Sequence, residues 1–465
     1  MHQLYPYSNK NIKKWAQIML IAFASIQLQA QKPLKFSEPT YTSGGNNYSS
    51  FSKDKNSIKP RIISLNKKGI FSKKDKFVGY TLRLENNLRQ DQSGEIGLKV
   101  INQSGSILYQ DVAGFTMRKK GEFEKNYFFD VTYMQPGYYT STMYISSTQY
   151  VDTISYTFAF EPTTAAATVS TGPSDFVNFW EQARRELNNT RTDIAIRPRP
   201  DLYRKNHNTF EIEYQSTDKA IIYGWLTVPA DKSSHPVLYI ISDYQSELLP
   251  EYRKDVAVLS INTRGTGPSN QNYNLGYDQL GLYNVADKNK YFLKGVYLDG
   301  LRGVDVIFQA ANQLHLDTRK IVVQGAGLGA SVAAYLGAID TRVSGVVMEA
   351  PNFIGFNSLL NSSSNGFPAS MYNSTISQRR ITKENVINNL EYFDPIYFAP
   401  YISNRILVGY SLNNSNTPAQ NVIQFINQLR INKKDKYECK NCGNTLNKGF
   451  YGFKETWLKE RFGQP

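Results

Sequence analysis

Between about Lys59 and Phe160 the chain alternates apolar and polar positions in short runs broken by turn residues. FVGYTLRLENN, IGLKVINQSG, YFFDVTY and TSTMYIS all repeat with a period of two, the mark of strands with one face buried and the other in water. Runs of this kind at this spacing predict an all-β antiparallel sandwich over residues 58–160. Residues 161–174, EPTTAAATVSTGPS, are mostly small residues and prolines and read as a linker. Beyond it AIIYGWLTVP, PVLYIIS, VAVLSINTRG, KIVVQG, VSGVVMEAP and NRILVGYS alternate with helical stretches. Strands interleaved with helices predict an α/β domain over 175–465, with a mostly parallel, doubly wound sheet covered on both faces.

The N-terminus has a different pattern. Lys10, Lys13 and Lys14 precede an apolar run, Trp15 to Leu28, which ends in Leu28-Gln29-Ala30. A basic segment, a short apolar core and a small residue at the cut predict a cleavable signal peptide over residues 1–30. The run is too short and mixed to span a bilayer, so the chain reads as exported rather than as an integral membrane protein. Residues 31–57, rich in Ser, Gly, Asn and Lys, read as an extended lead-in. The destination expected is the periplasm, the outer membrane or the cell surface.

Net charge is +14; the first 30 residues hold three lysines and no acid, leaving +11 for the rest. For an exported chain without a recognition motif this excludes nucleic acid as a partner. An envelope protein complex, an anionic lipid surface or an anionic polysaccharide fits this charge better, and a plain solvated basic surface is the default reading. These patterns fix no oligomeric state. The two cysteines, Cys439 and Cys442, stand as ECKNCG. A zinc site needs four ligands, and His207, His235 and His315 are scattered singly, so no metal is expected. In an oxidising compartment the pair predicts a local disulfide.

One stretch carries the functional question: KIVVQGAGLGASVAAYLGA, Lys320 to Ala338. Gly325, Gly327 and Ala330 satisfy a dinucleotide-binding turn, and Glu349 follows 24 residues after Gly325, where an acidic ribose ligand would sit. Nothing else in the chain supports redox chemistry, and no cofactor is expected. The alternative is the nucleophile elbow of a hydrolase, in which small residues flank a serine on a strained strand-to-helix turn. Gly325, Gly327 and Gly329 frame that turn, with Gly327 in the serine position.

The surroundings favour the elbow. Asp175-Phe176-Val177-Asn178-Phe179-Trp180, Ile222-Tyr223-Gly224-Trp225-Leu226-Thr227-Val228-Pro229, Asn262-Thr263-Arg264-Gly265-Thr266-Gly267-Pro268-Ser269, and Gly295-Val296-Tyr297-Leu298-Asp299 with Arg302 and Asp305 occur in that order. Together they resemble the acetyl xylan esterase and cephalosporin-C deacetylase family of α/β-hydrolases, from about Asp175 to the C-terminus. Met134-Gln135-Pro136-Gly137-Tyr138-Tyr139 likewise resembles a step that opens a late strand in immunoglobulin-like domains. The resemblance implies an α/β-hydrolase fold behind an immunoglobulin-like sandwich.

It also implies a serine, histidine and aspartate triad, and this sequence departs from all three. Gly327 has no side chain, and Ser331 lies on the following helix. The expected aspartate follows a late strand, where this chain reads Gly409-Tyr410-Ser411-Leu412-Asn413-Asn414 and then Thr417-Pro418. The expected histidine lies near the end, yet the 150 residues after His315 contain none. Relatives show His-Gly-Tyr after the second strand, where this chain has Ser242-Asp243-Tyr244. The backbone donors of Tyr244 and Leu328 remain as the former oxyanion hole. Asp243 and Glu349 are candidates for a replacement carboxylate pair at strand ends, and turn capping or ion pairing is the plainer alternative. Trp225, Tyr244 and Tyr291 are candidates to line a former substrate cleft. The expectation is a catalytically silent pseudo-esterase used for binding or assembly in the cell envelope. The rivals are an active carbohydrate acetyl esterase with an unrecognised site and a non-catalytic glycan-binding protein.

Overall fold

The computed structural model describes residues 57–66, 69–102, 106–162, 172–204, 206–271, 275–361, 366–379, 381–412, 414, 416–439 and 442–464. The predicted signal segment, almost all of the lead-in, most of the linker and Asn413 lie outside the described residues.

This part of the chain holds eight strands, β1 (Ile58–Ser64), β2 (Ile70–Phe71), β3 (Phe77–Asn86), β4 (Gln92–Asn102), β5 (Ile107–Met117), β6 (Glu122–Asp130), β7 (Gly137–Ser147) and β8 (Val151–Phe160), and the four period-two runs quoted above fall on β3, β4, β6 and β7. They make two sheets, β1-β3-β6 and β2-β8-β7-β4-β5. All pairings are antiparallel except that of β2 with β8. The alternate residues Val78, Tyr80, Leu82 and Leu84 of β3 and Ile96, Leu98 and Val100 of β4 are buried in one shared core, as strands with one wet face require. Where β7 begins, the Tyr139 hydroxyl donates to the Gln135 carbonyl at 2.7 Å and accepts from its N–H at 2.9 Å. This pins the corner four residues upstream.

The second part is built on a nine-stranded sheet. Helix α1 (Phe176–Asn189) leads into β9 (Ile194–Pro198), β10 (His207–Gln215), β11 (Ile221–Pro229), β12 (His235–Ile241) and β13 (Ala257–Asn262). Then follow α2 (Phe292–Leu314), β14 (Leu316–Ala326), α3 (Leu328–Ile339), β15 (Gly345–Glu349), α4 (Phe356–Asn361), α5 (Ala369–Arg379), β16 (Arg405–Ser411), α6 (Ala419–Gln428), β17 (Lys434–Cys439) and α7 (Lys448–Phe462). The strand order is β17-β16-β15-β14-β12-β13-β11-β10-β9. Strands β12 to β17 run parallel, and β9 to β11 add an antiparallel edge. All six strand-like runs read from the sequence are strands, whereas β9, β10 and β17 were not legible as such. β10 and β17 carry charged or polar residues at alternate positions, as in KDKYEC, and β9 is a five-residue edge strand, IAIRP, so none has the long apolar run of a central strand.

Buried residues of successive positions in β14 go to opposite faces. Ile321 and Val323 join α1, α2 and α3 in the larger core, and Val322 joins Phe450, Trp457 and Leu458 of α7 in the smaller one. Helices therefore cover both faces, as the interleaved pattern predicts.

The motif residues of the sequence reading act here as scaffold. Arg264, which follows β13, is 2% exposed and lies against Asp299 of α2, which is fully buried. It donates from Nε and Nη2 to the two carboxylate oxygens at 2.9 and 2.8 Å, and its backbone N–H adds a third bond at 3.0 Å. Nη1 reaches Asp218 at 3.0 Å. Arg302 donates to Asp305 at 3.1 Å, Asp305 accepts from Arg342 at 2.8 Å, and Arg342 pairs with Asp340 at 2.6 Å. Trp180 of α1 donates its indole N–H to the Tyr392 carbonyl at 2.8 Å and stacks on Tyr297. These contacts tie α1, α2 and the turn after β13 into one rigid support behind β14. Among the described residues no helix is long and apolar enough to cross a membrane.

Candidate functional site

In an open α/β sheet ligands gather at the carboxyl ends of the parallel strands. Register places the relevant residues there: Ile241 pairs with Gly325, Ala326 with Glu349, Glu349 with Gly409, and Ser411 with Cys439. The segments after β12, β14, β16 and β17 all emerge at this edge. They hold Asp243, Gly327, Asn414 and the Cys439–Cys442 pair.

Gly327 joins β14 to α3 with φ 53° and ψ −116°, a region that side chains other than glycine enter only under strain. A strand, a strained turn and a helix in this order are the geometry that a nucleophile elbow requires. Ser331 is fully buried on α3 and donates to the Phe353 carbonyl at 2.9 Å, away from the tip. What fills the tip comes from the neighbouring strand. A Cβ built on Gly327 would lie 2.1 Å from Oδ1 of Asp243 and 2.5 Å from its Oδ2. The Asp243 carboxylate therefore occupies the volume that a nucleophile's side chain would need. Its Oδ1 accepts from the backbone N–H of Leu328 at 2.7 Å and from that of Tyr244 at 2.7 Å. These are the two donors expected to form the oxyanion hole, and the chain's own carboxylate engages both. Burial pushes the Asp243 carboxyl above the usual carboxylate range, while the two N–H donors pull it down.

The other candidates have separate partners. Glu349 accepts from Lys454 of α7 at 2.7 Å, both side chains being buried, whereas Asp243 bonds the N–H groups of Tyr244 and Leu328. Asn414 is buried, and its Oδ1 turns back to accept from the N–H groups of Asn416 and Thr417 at 2.8 and 3.0 Å. After β17, Cys439 and Cys442 form the expected disulfide, and the Cys442 N–H donates to Ser411 Oγ at 3.3 Å. The three described histidines lie at the opposite edge of the sheet. His207 opens β10 and contacts the Arg253 carbonyl, His235 opens β12 beside Asp231, and His315 directly precedes β14.

Of the aromatic candidates, Tyr244 and Tyr291 converge on Gly281: its N–H donates to the Tyr244 hydroxyl at 2.7 Å, and its carbonyl accepts from that of Tyr291 at 2.8 Å. Trp225 sits elsewhere, under the Arg199 guanidinium at 5.5 Å. Tyr244 packs against Phe353 and Phe367, with its hydroxyl 3.8 Å from Met371 Sδ. Side chains from around α4 and α5 thus close over the residue that would border an acyl pocket.

Asp394 was missed in the sequence, where it reads only as the acid of an Asp-Pro step. It is buried, accepts from Gly355, Phe356 and Ile396 N–H groups at 2.8–3.0 Å, and so fixes the start of α4. Burial raises its carboxyl to about 6 despite those three donors. The folded chain holds this proton more tightly than the unfolded chain, so the stabilisation is complete below about pH 4 and is lost as pH rises through about 6. Urea titrations at several pH values are expected to show the stability of the parent relative to Asp394→Asn falling by about 2–3 kcal/mol across that window. A flat difference would contradict the assignment.

Comparison with known proteins decides the family. The family model described as Acetyl xylan esterase (AXE1) matches residues 162–454. The chain belongs to the acetyl xylan esterase family. A curated relative, the acetyl esterase Axe7A of Xylanibacter ruminicola, is 20% identical over 261 residues, which cover 53% of this chain and 58% of that protein. The chain therefore matches 58% of that relative's length. Among solved structures, an acetyl xylan esterase from Paenibacillus sp. R4 superposes with a TM-score of 0.58 at 21% identity, covering 64% of this chain and 98% of that one. Acetyl Xylan Esterase 1 from Thermoanaerobacterium sp. JW/SL YS485 gives 0.58 at 19% identity, covering 65% and 98%. At these identities the structural likeness carries the acetyl xylan esterase fold and nothing finer.

Proposed function

We propose that this chain is a non-catalytic member of the acetyl xylan esterase family, an exported binding or assembly component of the cell envelope. One observation carries the reading: the Asp243 carboxylate lies where a nucleophile's side chain would project and engages both oxyanion-hole donors. Acyl transfer needs a nucleophile, a base and a free site for the developing oxyanion. Gly327 supplies no nucleophile, the described histidines lie across the sheet, and the oxyanion site has an occupant of matching charge.

The β-domain is, in the same proposal, immunoglobulin-like. Support comes from its two sheets, the parallel pairing of β2 with β8, and a tyrosine at the start of β7 that bonds back to the preceding corner. Export rests on the residue pattern of the first 30 positions.

The test is hydrolysis of a chromogenic acetate ester and of acetylated xylan by purified protein. Release at the buffer rate on both is expected. Turnover that is lost on substitution at Asp243 or Glu349 would overturn the proposal in favour of an unrecognised esterase site. Retention on polysaccharide beads without turnover would identify the glycan as the bound partner.

A further inference from the structure

The outer face of the β1-β3-β6 sheet changes character along its length. Because Val78, Tyr80, Leu82 and Leu84 point into the core, Phe77, Gly79, Thr81, Arg83 and Glu85 face outward. Register sets these in rows: Arg61 beside Arg83 and Glu124, Ile63 beside Thr81 and Asn126, and Gly79 beside Phe128. One half of the face is satisfied by polar pairs, Arg61 with Glu85 at 3.2 Å, Arg83 with Glu124 at 2.6 Å, and Thr81 with Asn126 at 2.6 Å.

The other half is apolar and in water. Ile63, Leu65, Phe77 and Phe128 are 44%, 60%, 49% and 54% exposed. Leu65 and Phe128 lean together over Gly79, where a Cβ would lie 2.4 and 2.9 Å from their nearest atoms. Just past the end of β6, Tyr133 is 80% exposed. The turn before β3 lies at this same end, tied to it by the Val131 N–H donating to the Lys76 carbonyl. That turn carries Lys73, Lys74 and Lys76, all exposed. Three acids stand at this end as well and accept from neutral donors: Asp75 from Ser72, Asp130 from Thr132, and Glu161 from the Lys73 N–H.

We propose that this corner docks onto an anionic lipid surface. Separately projecting aromatic and aliphatic side chains bordered by lysines suit the headgroup boundary, where apolar groups enter and ammonium groups meet lipid phosphates. Lysine is depleted from protein–protein interfaces, which argues against a protein occupant for the same face. A net charge of +14, or +11 without the first 30 residues, adds long-range attraction to such a surface. The proposal names the envelope partner of the previous section but does not rest on loss of catalysis.

The test is co-sedimentation of the full chain with phosphatidylcholine vesicles, neutral or containing about 30% phosphatidylglycerol, at about 0.1 M salt. Binding to the anionic vesicles is expected to weaken about tenfold or more in Leu65→Ser/Phe128→Ser. A similar loss is expected in Lys73→Gln/Lys74→Gln/Lys76→Gln, fading at high salt. Residues 1–56 are the same in every variant, so a difference reports this corner, and unchanged thermal midpoints show that the fold is intact. Equal binding by variants and parent would overturn the proposal, as would equal binding to neutral and anionic vesicles. A change in oligomeric state in these variants with no change in lipid binding would instead assign the face to a second copy. None of these failures touches the elbow, which the ester assay reads separately.

Discussion

Replacing Gly327 with serine is expected to destabilise the protein and to leave ester hydrolysis at the buffer rate. The new side chain would adopt φ 53° and ψ −116°, and its Cβ would meet the Asp243 carboxylate at 2.1 Å. Either the carboxylate leaves its two N–H donors or the turn shifts, and the cost is about 2–4 kcal/mol. Thermal or urea unfolding measures it. Asp243→Ala alone leaves the Leu328 and Tyr244 N–H groups without their acceptor, costing about 1–3 kcal/mol. The double variant Asp243→Ala/Gly327→Ser is expected to be more stable than the sum of the two losses predicts, by about 1 kcal/mol or more, because the clash has gone. Added acetate is expected to raise the midpoint of Asp243→Ala and not that of the parent, since it refills the vacated site. Strict additivity together with no acetate effect would show that Asp243 does not occupy the elbow.

Asp299→Ala is expected to have the largest effect on stability, a loss of about 3–5 kcal/mol. The substitution leaves the Arg264 guanidinium, 2% exposed, with Asp218 as its remaining carboxylate partner at 3.0 Å. It also removes the acceptor of the Arg264 backbone N–H. Changing both members, as in Arg264→Met/Asp299→Leu, is expected to recover much of the loss, because no charge is then buried without its partner. Urea midpoints of the two variants measure this. A loss under about 1 kcal/mol for Asp299→Ala would contradict the idea that this pair holds α2 against the turn after β13.

The architecture was legible wherever one physical pattern ran long enough. Period-two runs marked β3, β4, β6 and β7 of the β-domain, and the six apolar runs beyond Glu161 marked the central strands of the large sheet. Edge strands such as KDKYEC escaped because, being half exposed, they carry lysine and aspartate. The strained strand-to-helix turn at Gly327 was legible from its glycines. The role of Asp243 was not, because no local pattern says that a residue after β12 reaches the tip of β14; register between two parallel strands brings them together. The one signal available was an acid immediately before a backbone donor, opposite a missing side chain. Lys454 and Asp394 escaped for the same reason: their partners Glu349 and Gly355 lie 105 and 39 residues away.

A working hydrolase keeps two N–H groups aimed at an empty position, waiting for a charge that exists only while an ester is being split. Such readiness leaves the resting protein with polar groups whose best partner is absent. On the proposed reading the partner is part of the chain itself, the carboxylate of Asp243 on the N–H groups of Tyr244 and Leu328. That reading predicts that reagents which capture esterases by mimicking the tetrahedral intermediate find neither an atom to bond nor a vacancy to enter. Surveys of active hydrolases made with such reagents should therefore pass this protein by, however abundant it is in the cell.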